Sequence, residues 1–326
     1  MYLPDSIAQC VSALPYEESG IGMSGSKVLC YENMVLKIGT DMADYERSRN
    51  ILGFLEGKLP APRIIEVAEE NGTNYLLMTR IRGKMACAKE YMDNAPALLP
   101  LLANAIHMLW NVNTADCPYQ NMLEAKLAFA KRNVEQGLCS MDDAQPGTYG
   151  PNGFADPAEL YNWLIANKPT EQRVFSHGDL CLPNVFIDNG KISGFIDLGW
   201  AGVTDIYQDI ALCYRSLVNN RDGIYGTTHP YFDADALFNL LGIEPDRDKL
   251  FYYTMLDELF RLYFTIGLPI HCSSGTAPNH LVMVGAISSM LMGSPVNSSG
   301  EPCSGIITGI VMSSGASLPW FISCPP

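Results

Sequence analysis

The chain has 326 residues and a formal net charge of −14, and 48% of its residues are hydrophobic while 17% are charged. This length and composition are those of a folded globular protein with one large core or two modest ones. The negative charge argues against a nucleic-acid partner, which needs a basic surface, and suits a cationic ligand.

The N-terminus, MYLPDSIAQC, has neither the basic start nor the apolar core of a secretion signal. No segment reaches the roughly 18 uninterrupted apolar residues that a membrane-spanning helix needs. The ten cysteines are scattered without a Cys-x-x-Cys pair, which argues against a zinc knuckle and fits reduced thiols. We therefore expect a cytoplasmic protein without a membrane partner.

Residues 1–83 predict a small β-rich lobe with one helix. Residues 27–37, KVLCYENMVLK, have the pattern of a β-hairpin, and Asp41 is placed to cap a helix that runs to about residue 55. Two further strands are predicted at 63–67 and 75–78, with an Asn-Gly turn between them.

Residues 84–264 predict a larger, mainly helical lobe. Apolar residues recur at helical spacing in segments 95–110, 122–134, 157–166, 206–218, 234–241 and 246–264. From about Gly267 the chain is rich in Ser, Gly, Pro and Met and almost free of charge, so we expect residues 265–326 to form an atypical C-terminal extension. It is either a small subdomain or a poorly ordered appendage, and the abrupt change in composition favours the appendage.

Polar residues at a fixed spacing interrupt the apolar stretch VFSHGDLCLPNVFID at residues 174–188. Asp179 and Asn184 have the Asp-x-x-x-x-Asn spacing of a kinase catalytic loop. The following Asp-Asn-Gly turn predicts a hairpin in which Asn184 faces Phe195, so that Asp197 lies one diagonal step away on the same face. Mg²⁺ prefers such oxygen ligands together with phosphates. The hairpin therefore predicts a magnesium site, with Asp179 beside it to orient a substrate hydroxyl.

The first lobe contains a matching set of residues for a nucleotide. Gly20, Gly22 and Gly25 fit a G-x-G-x-x-G pattern, which alone is weak and also marks dinucleotide sites. Lys37 ends the next strand, in reach of ATP phosphates, and Glu46 on the following helix is placed to hold it by an ion pair.

Taken together, these motifs resemble the aminoglycoside 3′-phosphotransferase family, a branch of the protein-kinase-like fold. The resemblance covers about residues 18–260 and includes GMSGSKV, LEGKLPAP, DCPY, DPAELY, VFSHGDLCLPN, GKISGFIDLG, YQDIAL and MLDELF. It implies an α+β, bilobal fold and an ATP-dependent phosphotransferase that transfers the γ-phosphoryl group to a hydroxyl of an aminoglycoside antibiotic.

The resemblance also implies roles for residues that bind ATP. Ser24 matches the loop serine at the nucleotide phosphates, Lys37 the phosphate lysine and Glu46 its partner on the helix. Thr79 and Ile81 match the hinge, whose backbone binds the adenine edge.

The remaining roles concern catalysis and the substrate. Asp179 matches the catalytic aspartate, and Asn184 and Asp197 match the magnesium ligands. Glu258 matches a carboxylate that grips an aminoglycoside amine, and Asp257 belongs to the same acidic triplet.

Other polar residues near these motifs have simpler alternatives. Asp142 and Asp143 are either solvated loop acids or substrate contacts. His177 is expected to brace the loop, because Asp179 already receives the hydroxyl proton, and Cys181 is expected to be a small packing residue.

The chain departs from the family at four positions. Val35 replaces a tyrosine that stacks on adenine in some members, and Trp200 stands where arginine is usual. Asn219 and Asn220 replace a pair of acidic residues. These changes leave two alternatives, a kinase of another hydroxylated small molecule or antibiotic, and a nucleotide-binding pseudoenzyme.

Overall fold

The computed structural model describes residues 2–19, 26–229 and 232–261. Ser24, its neighbouring glycines and the expected extension at 265–326 lie outside the described residues. Within the described part of the chain, no helix has both the length and the apolar character needed to cross a membrane.

The N-terminal part is an antiparallel sheet with two helices. The strands lie in the order β1-β2-β3-β5-β4. The bounds are α1 (Asp5–Val11), β1 (Glu17–Glu18), β2 (Lys27–Cys30), β3 (Met34–Gly39), α2 (Met42–Leu55), β4 (Ile64–Glu70) and β5 (Thr73–Thr79). The predicted cap is confirmed, because the Asp41 carboxylate accepts hydrogen bonds from the N–H groups of Ala43 and Asp44.

The two faces of this sheet pack against different helices. Tyr75 and Leu77 of β5 share a small hydrophobic cluster with α1 residues, whereas Leu76 between them packs with α2 residues. This alternation follows from the two-residue period of a strand. Lys37 is the cross-strand partner of Leu76, so its side chain lies on the α2 face.

The C-terminal part is mainly helical. Its elements are β6 (Lys84–Met85), α3 (Lys89–Met92), α4 (Ala95–Trp110), α5 (Leu123–Glu135), α6 (Pro157–Ala166), β7 (Arg173–Ser176), β8 (Val185–Asp188), β9 (Lys191–Phe195), β10 (Gly202–Asp205), α7 (Tyr207–Arg221), α8 (Ala236–Leu241) and α9 (Arg247–Glu258). Strands β6, β8 and β9 form one sheet, and β7 pairs with β10. Short 3₁₀ turns follow at Leu182–Asn184 and Leu198–Trp200.

One large hydrophobic cluster joins residues of both predicted lobes. Ile51 and Leu55 of α2 belong to the same buried cluster as Phe175 of β7 and Phe195 of β9. Helix α2 therefore contributes to the core of the helical part as well as to its own sheet. The division at residues 83 and 264 stays a prediction.

The predicted hairpin of β8 and β9 forms with a one-residue shift. Asn189 and Gly190 make the turn, both with positive φ (49° and 72°), as a tight hairpin turn requires. A bulge between Phe186 and Ile187 changes the register, so that Asn184 lies opposite Ile196 and not Phe195. The N–H of Ile196 donates to the carbonyl of Asn184 at 3.0 Å.

The last described helix is shorter than predicted. Helix α9 ends at Glu258, whereas the apolar spacing predicted a helix to residue 264. The N–H groups of Leu259 and Phe260 donate to the carbonyls of Leu256 and Asp257, three residues back, so the last turn tightens. The carbonyl of Leu259 accepts from Asn133 Nδ2 at 3.0 Å, which ties the helix end to α5.

Candidate active site

Helix α7 holds the loop that carries the predicted catalytic aspartate. The buried carboxylate of Asp209 accepts hydrogen bonds from the N–H groups of His177 (2.8 Å) and Gly178 (3.0 Å). Gln208 Nε2 donates to the Gly178 carbonyl at 3.2 Å. Burial raises the pKa of Asp209 because it disfavours the charged carboxylate. The loop backbone is therefore bonded to a fixed helix immediately before Asp179.

Gly178 and His177 fix the direction of this loop. Gly178 has φ +85°, and a Cβ there would lie 2.2 Å from the carbonyl oxygen of Trp200. The N–H of Asp179 donates to His177 Nδ1 at 3.3 Å, and Nε2 lies 2.9 Å from the carbonyl of Ile196. Both ring nitrogens are used, so the interpretation of His177 as a bracing residue is confirmed.

The structure brings Asp179 and Asn184 together. Asn184 Nδ2 donates to the backbone carbonyl of Asp179 at 2.9 Å and to its Oδ2 at 3.3 Å. Burial raises the pKa of Asp179, and the negative charges of Asp257 and Asp197 raise it further. The Asp179 carboxyl group is thus partly shielded from water and lies near other acidic groups. Burial also raises the pKa of the neighbouring Cys181 thiol, so this cysteine is no nucleophile.

The oxygen atoms at the end of the β8–β9 hairpin fit a magnesium ion. Asn184 uses its amide nitrogen towards Asp179, which leaves its side-chain oxygen for another partner. Asp197 is exposed and adopts a left-handed conformation (φ 57°, ψ 52°) that few non-glycine residues take up. Both side chains carry oxygen atoms of the kind that Mg²⁺ prefers as ligands.

Lys37 pairs with Asp44, and the predicted ion pair with Glu46 is wrong. Lys37 Nζ lies 2.8 Å from Asp44 Oδ2. Asp44 and Ser48 lie one turn apart on the face of α2 that packs against Gly199, where an added Cβ would be 3.1 Å from Asp44 Oδ1. Glu46 lies two positions after Asp44, on the opposite side of the helix, and is exposed.

Of the predicted hinge residues, Thr79 ends strand β5 and Ile81 follows it. The N–H of Thr79 donates to the carbonyl of Arg63, and Thr79 Oγ1 accepts from the Arg63 N–H, both at 2.9 Å. The Ile81 side chain packs on β9, since a Cβ added at Gly194 would lie 2.8 Å from its Cδ1. Among the described residues, the N–H of Ile81 has no hydrogen-bond partner. This N–H is thus available to a ligand.

The acidic pair at the end of α9 is neutralised by arginines. Arg215 of α7 contacts Asp257 at 2.6 Å and Glu258 at 3.4 Å. Burial acts to raise the pKa of Asp257, but the positive charges of Arg215, Arg261 and Lys126 and the hydrogen bond from Arg215 together outweigh it, and the pKa is lowered. Glu258 is fully buried, and burial raises its pKa against the opposing charges of Arg261 and Arg215.

The prediction that Glu258 contacts substrate directly therefore needs correction for this conformation. Its Oε2 accepts from the N–H of Gln145 at 3.0 Å and lies 3.3 Å from Arg261 Nε, while its Oε1 faces Arg215. Neither oxygen is open to a ligand. Asp257, whose side chain is 22% exposed, is the more accessible member of the pair.

The two loop acids differ from each other. Asp143 Oδ2 accepts from Ser140 Oγ at 2.7 Å, and its N–H donates back to the same hydroxyl oxygen at 3.2 Å, so its carboxylate closes a local turn. Its carbonyl accepts from Arg261 Nη1 at 2.6 Å. Asp142 is exposed, and both interpretations of it remain open.

One residue that departs from the family, Trp200, lies close to Asp197. The Trp200 ring is edge-on to Phe129 (5.7 Å) and Phe260 (5.6 Å), and the guanidinium of Arg47 lies 5.1 Å from its centre. Trp200 is 40% exposed and is the last residue of the 3₁₀ turn after Asp197. It gives this side of the site an apolar wall.

Several functional residues were missed from the sequence. Asp44 and Asp209 lie in helical segments, where an acidic residue resembles an ordinary exposed charge. Arg215 pairs with Asp257, more than forty residues away, and Arg261 donates to the Asp143 carbonyl, more than a hundred residues away. A charged residue between apolar neighbours, as in DIAL for Asp209, is the one signal that points to a buried polar group.

Lys126 of α5 was also missed, although it is buried near the site. Burial lowers its pKa to about 8, and the negative charges of Asp257, Asp209 and Asp179 partly offset this. Within the described residues Lys126 forms no ion pair. It adds a third positive charge close to the acidic pair.

Comparison with known proteins agrees with this geometry. A model of the phosphotransferase enzyme family matches residues 21–238. Aminoglycoside 3′-phosphotransferases from Enterococcus faecalis and Staphylococcus aureus are 39% and 38% identical, and each alignment covers 73% of this chain and 91% of the relative. The structure of an aminoglycoside phosphotransferase, APH(3″)-Id from Streptomyces rimosus, superposes with a TM-score of 0.66 at 24% identity, covering 78% of this chain and 95% of that one. The predicted α+β, protein-kinase-like fold is confirmed.

Proposed function

Since the chain belongs to the aminoglycoside phosphotransferase family of phosphotransferase enzymes, we propose that it transfers the γ-phosphoryl group of ATP to a hydroxyl of an aminoglycoside. One observation supports this above the others. Asp179 and Asn184 are in hydrogen-bond contact, and the negative charge of Asp197 acts on Asp179. The loop that carries Asp179 is hydrogen-bonded to helix α7. This is the arrangement that phosphoryl transfer to a hydroxyl needs.

In the proposed reaction, Asp179 orients the acceptor hydroxyl and accepts its proton late. The hydroxyl oxygen forms the new bond to the γ-phosphorus, the bond from that phosphorus to the bridging oxygen breaks, and ADP leaves with the electron pair. Because the transition state is loose and negatively charged, positioning and positive charge are the main needs. Lys37, with Asp44 to hold it, supplies charge at the phosphates.

The site also fits the two cofactors. Asn184 and Asp197 would hold Mg²⁺, which when bound neutralises charge on the phosphates. The N–H of Ile81 and the neighbouring backbone at Thr79 would take the adenine edge. Ser24 lies outside the described residues and remains a proposed phosphate contact. We place the reaction in the cytoplasm, where ATP is available.

The relatives named above and the net charge of −14 support an aminoglycoside as the substrate. A streptomycin complex with ADP has been solved for the Streptomyces rimosus protein. One observation favours the second candidate, a less cationic hydroxylated compound. Arg215 and Arg261 already neutralise Asp257 and Glu258.

The test is ADP release by the purified protein with ATP and Mg²⁺ against kanamycin, neomycin, spectinomycin and a macrolide. Turnover with kanamycin or neomycin is expected, turnover with a macrolide only would support the second candidate, and none with any compound would contradict kinase activity. Asp179→Ala should lower kcat by about 10²- to 10⁴-fold with ATP binding retained, because it removes the proton acceptor. Asp248→Ala, an exposed acid at the start of α9, is the control and should be unchanged.

A further inference from the structure

Arg261, the last described residue, folds back onto the acidic pair. Its Nε lies 3.3 Å from Glu258 Oε2, and its Nη1 donates to the carbonyl of Asp143 at 2.6 Å. Its own carbonyl accepts from the N–H of Ser140 at 2.7 Å, which fixes the backbone at this point. A guanidinium therefore lies on the carboxylate oxygen that faces the loop of Asp142 and Asp143.

The two arginines on Glu258 are held differently. Arg215 projects from the middle of α7, its side chain is 14% exposed, and it also bonds to Asp257. Arg261 follows the end of α9, its side chain is 29% exposed, and its contacts are one carboxylate oxygen and one carbonyl. Arg215 is thus part of the helix framework, whereas Arg261 lies beyond the end of α9 and its side chain is more exposed and has fewer charged partners.

Three cationic side chains surround the acidic pair. Asp257 and Glu258 lie among Arg215, Arg261 and Lys126. A cationic group placed at Glu258 Oε2 is repelled by the Arg261 guanidinium, whose Nε lies 3.3 Å from this oxygen. Without Arg261, Glu258 Oε2 keeps only the N–H of Gln145.

We propose that Arg261 is a specificity-determining residue whose guanidinium occupies the position beside Glu258 that an ammonium group of a cationic substrate takes, so that such a substrate binds only by displacing it. The inference deepens the proposed function and rests on it. Arg261 thus makes the enzyme discriminate against cationic substrates relative to the same chain without this arginine.

The test compares Arg261→Gln with Arg247→Gln in the full chain. Both substitutions remove one positive charge. Arg247 lies in the first turn of α9, where it pairs with Asp235 at 2.8 Å. It is about 16 Å from Glu258 along the helix axis. Arg261→Gln is expected to lower the KM for kanamycin at least about threefold, because it removes a partly buried competing ion pair. The KM for ATP and kcat stay within about twofold, and Arg247→Gln changes none of the three. Arg261→Lys, which keeps a cation, stays close to the wild type.

An unchanged or raised KM for kanamycin in Arg261→Gln would overturn the inference, as would an equal fall in Arg247→Gln. Calorimetric binding of kanamycin in the presence of ADP and Mg²⁺ separates this from failure of the proposed function. If no protein turns over an aminoglycoside, the proposed function fails. Tighter kanamycin binding by Arg261→Gln than by the wild type would then still support the displacement, and equal binding would refute it.

Discussion

Two lysines of this protein, Lys37 and Lys126, are shielded from solvent in different ways. Lys37 is 17% exposed and has a carboxylate partner at 2.8 Å, whereas Lys126 is buried in helix α5 without an ion pair among the described residues. An ammonium group loses hydration in both places, but only Lys37 regains an equivalent interaction. The first lysine is therefore held in a defined position and the second is poised to lose its proton.

The partner of Lys37 can be tested by a pair of matched variants. Asp44→Asn removes the carboxylate that orients the lysine, so we expect the KM for ATP to rise by about three- to tenfold, because a half-buried ion pair contributes roughly 1 kcal/mol. Glu46→Gln, an equal change on the exposed side of the same helix, should leave the KM within about twofold. The KM is measured with ATP as the varied substrate. A larger rise in Glu46→Gln than in Asp44→Asn would mean that Lys37 changes partner when nucleotide binds.

Lys126 predicts a dependence of stability on pH. Its pKa falls from an ordinary value of 10.5 to about 8 on folding. Between these values the unfolded chain binds the extra proton, so the lysine's contribution to stability rises with pH from 8 to 10.5 and is lost as pH falls back through 8. The advantage of Lys126→Met over the wild type in free energy of unfolding should thus be largest near neutral pH and shrink by up to about 3 kcal/mol towards high pH.

This difference is measured by denaturant unfolding of both proteins across that range. Lys131→Met is the control, because Lys131 is an exposed residue of the same helix and carries the same chemical change. A parallel course of the Lys126→Met and wild-type curves would contradict a depressed lysine pKa.

At the scale of elements, the parts of the fold that depend on local pattern were predictable. The cap at Asp41, the Asn-Gly turn of β8–β9 and helix α6 after Asp156 follow from turn and capping chemistry. The bulge that moves Asn184 opposite Ile196 was not predictable from the Asn-Gly turn, because the turn fixes only the pairing next to it and the bulge lies further along the strands. At the early end of α9, the Leu259 carbonyl accepts a tertiary hydrogen bond from Asn133, which no local pattern shows.

The candidate site likewise has one part that the sequence predicts and another that it does not. The spacing of Asp179, Asn184 and Asp197 is a property of one continuous stretch, so the sequence is sufficient to identify it. The partners that decide charge lie far along the chain, as Arg215 does from Asp257. Helix α7 supplies both Asp209 and Arg215, and a period of 3.6 residues identifies it as a helix without revealing which distant groups its polar residues contact.

For the whole molecule, Arg47 is a polar link between the sheet part and the helical part. From helix α2, its Nε donates to the carbonyl of Gly199 at 2.9 Å and its Nη2 to Asn121 Oδ1 at 3.3 Å. The guanidinium also lies over the rings of Tyr119 (4.3 Å) and Trp200 (5.1 Å). Burial lowers the pKa of Arg47, so the charge is partly dehydrated and these contacts replace water.

Arg47 therefore predicts how strongly the two parts unfold together. Arg47→Ala leaves the Gly199 carbonyl and the Asn121 oxygen without their donor, and we expect the free energy of unfolding to fall by about 2 kcal/mol. Arg47→Lys should recover less than half of this loss, because an ammonium group cannot form the planar, forked contacts over two rings. Arg49→Ala, an exposed arginine two residues on in the same helix, should change stability by less than about 0.5 kcal/mol.

Urea unfolding followed by both tryptophan fluorescence and far-ultraviolet circular dichroism measures all three. Coincident transitions for the wild type and separated transitions for Arg47→Ala would locate the coupling at this residue, whereas an unchanged midpoint in Arg47→Ala would show that the shared apolar core of α2, β7 and β9 holds the two parts together without it.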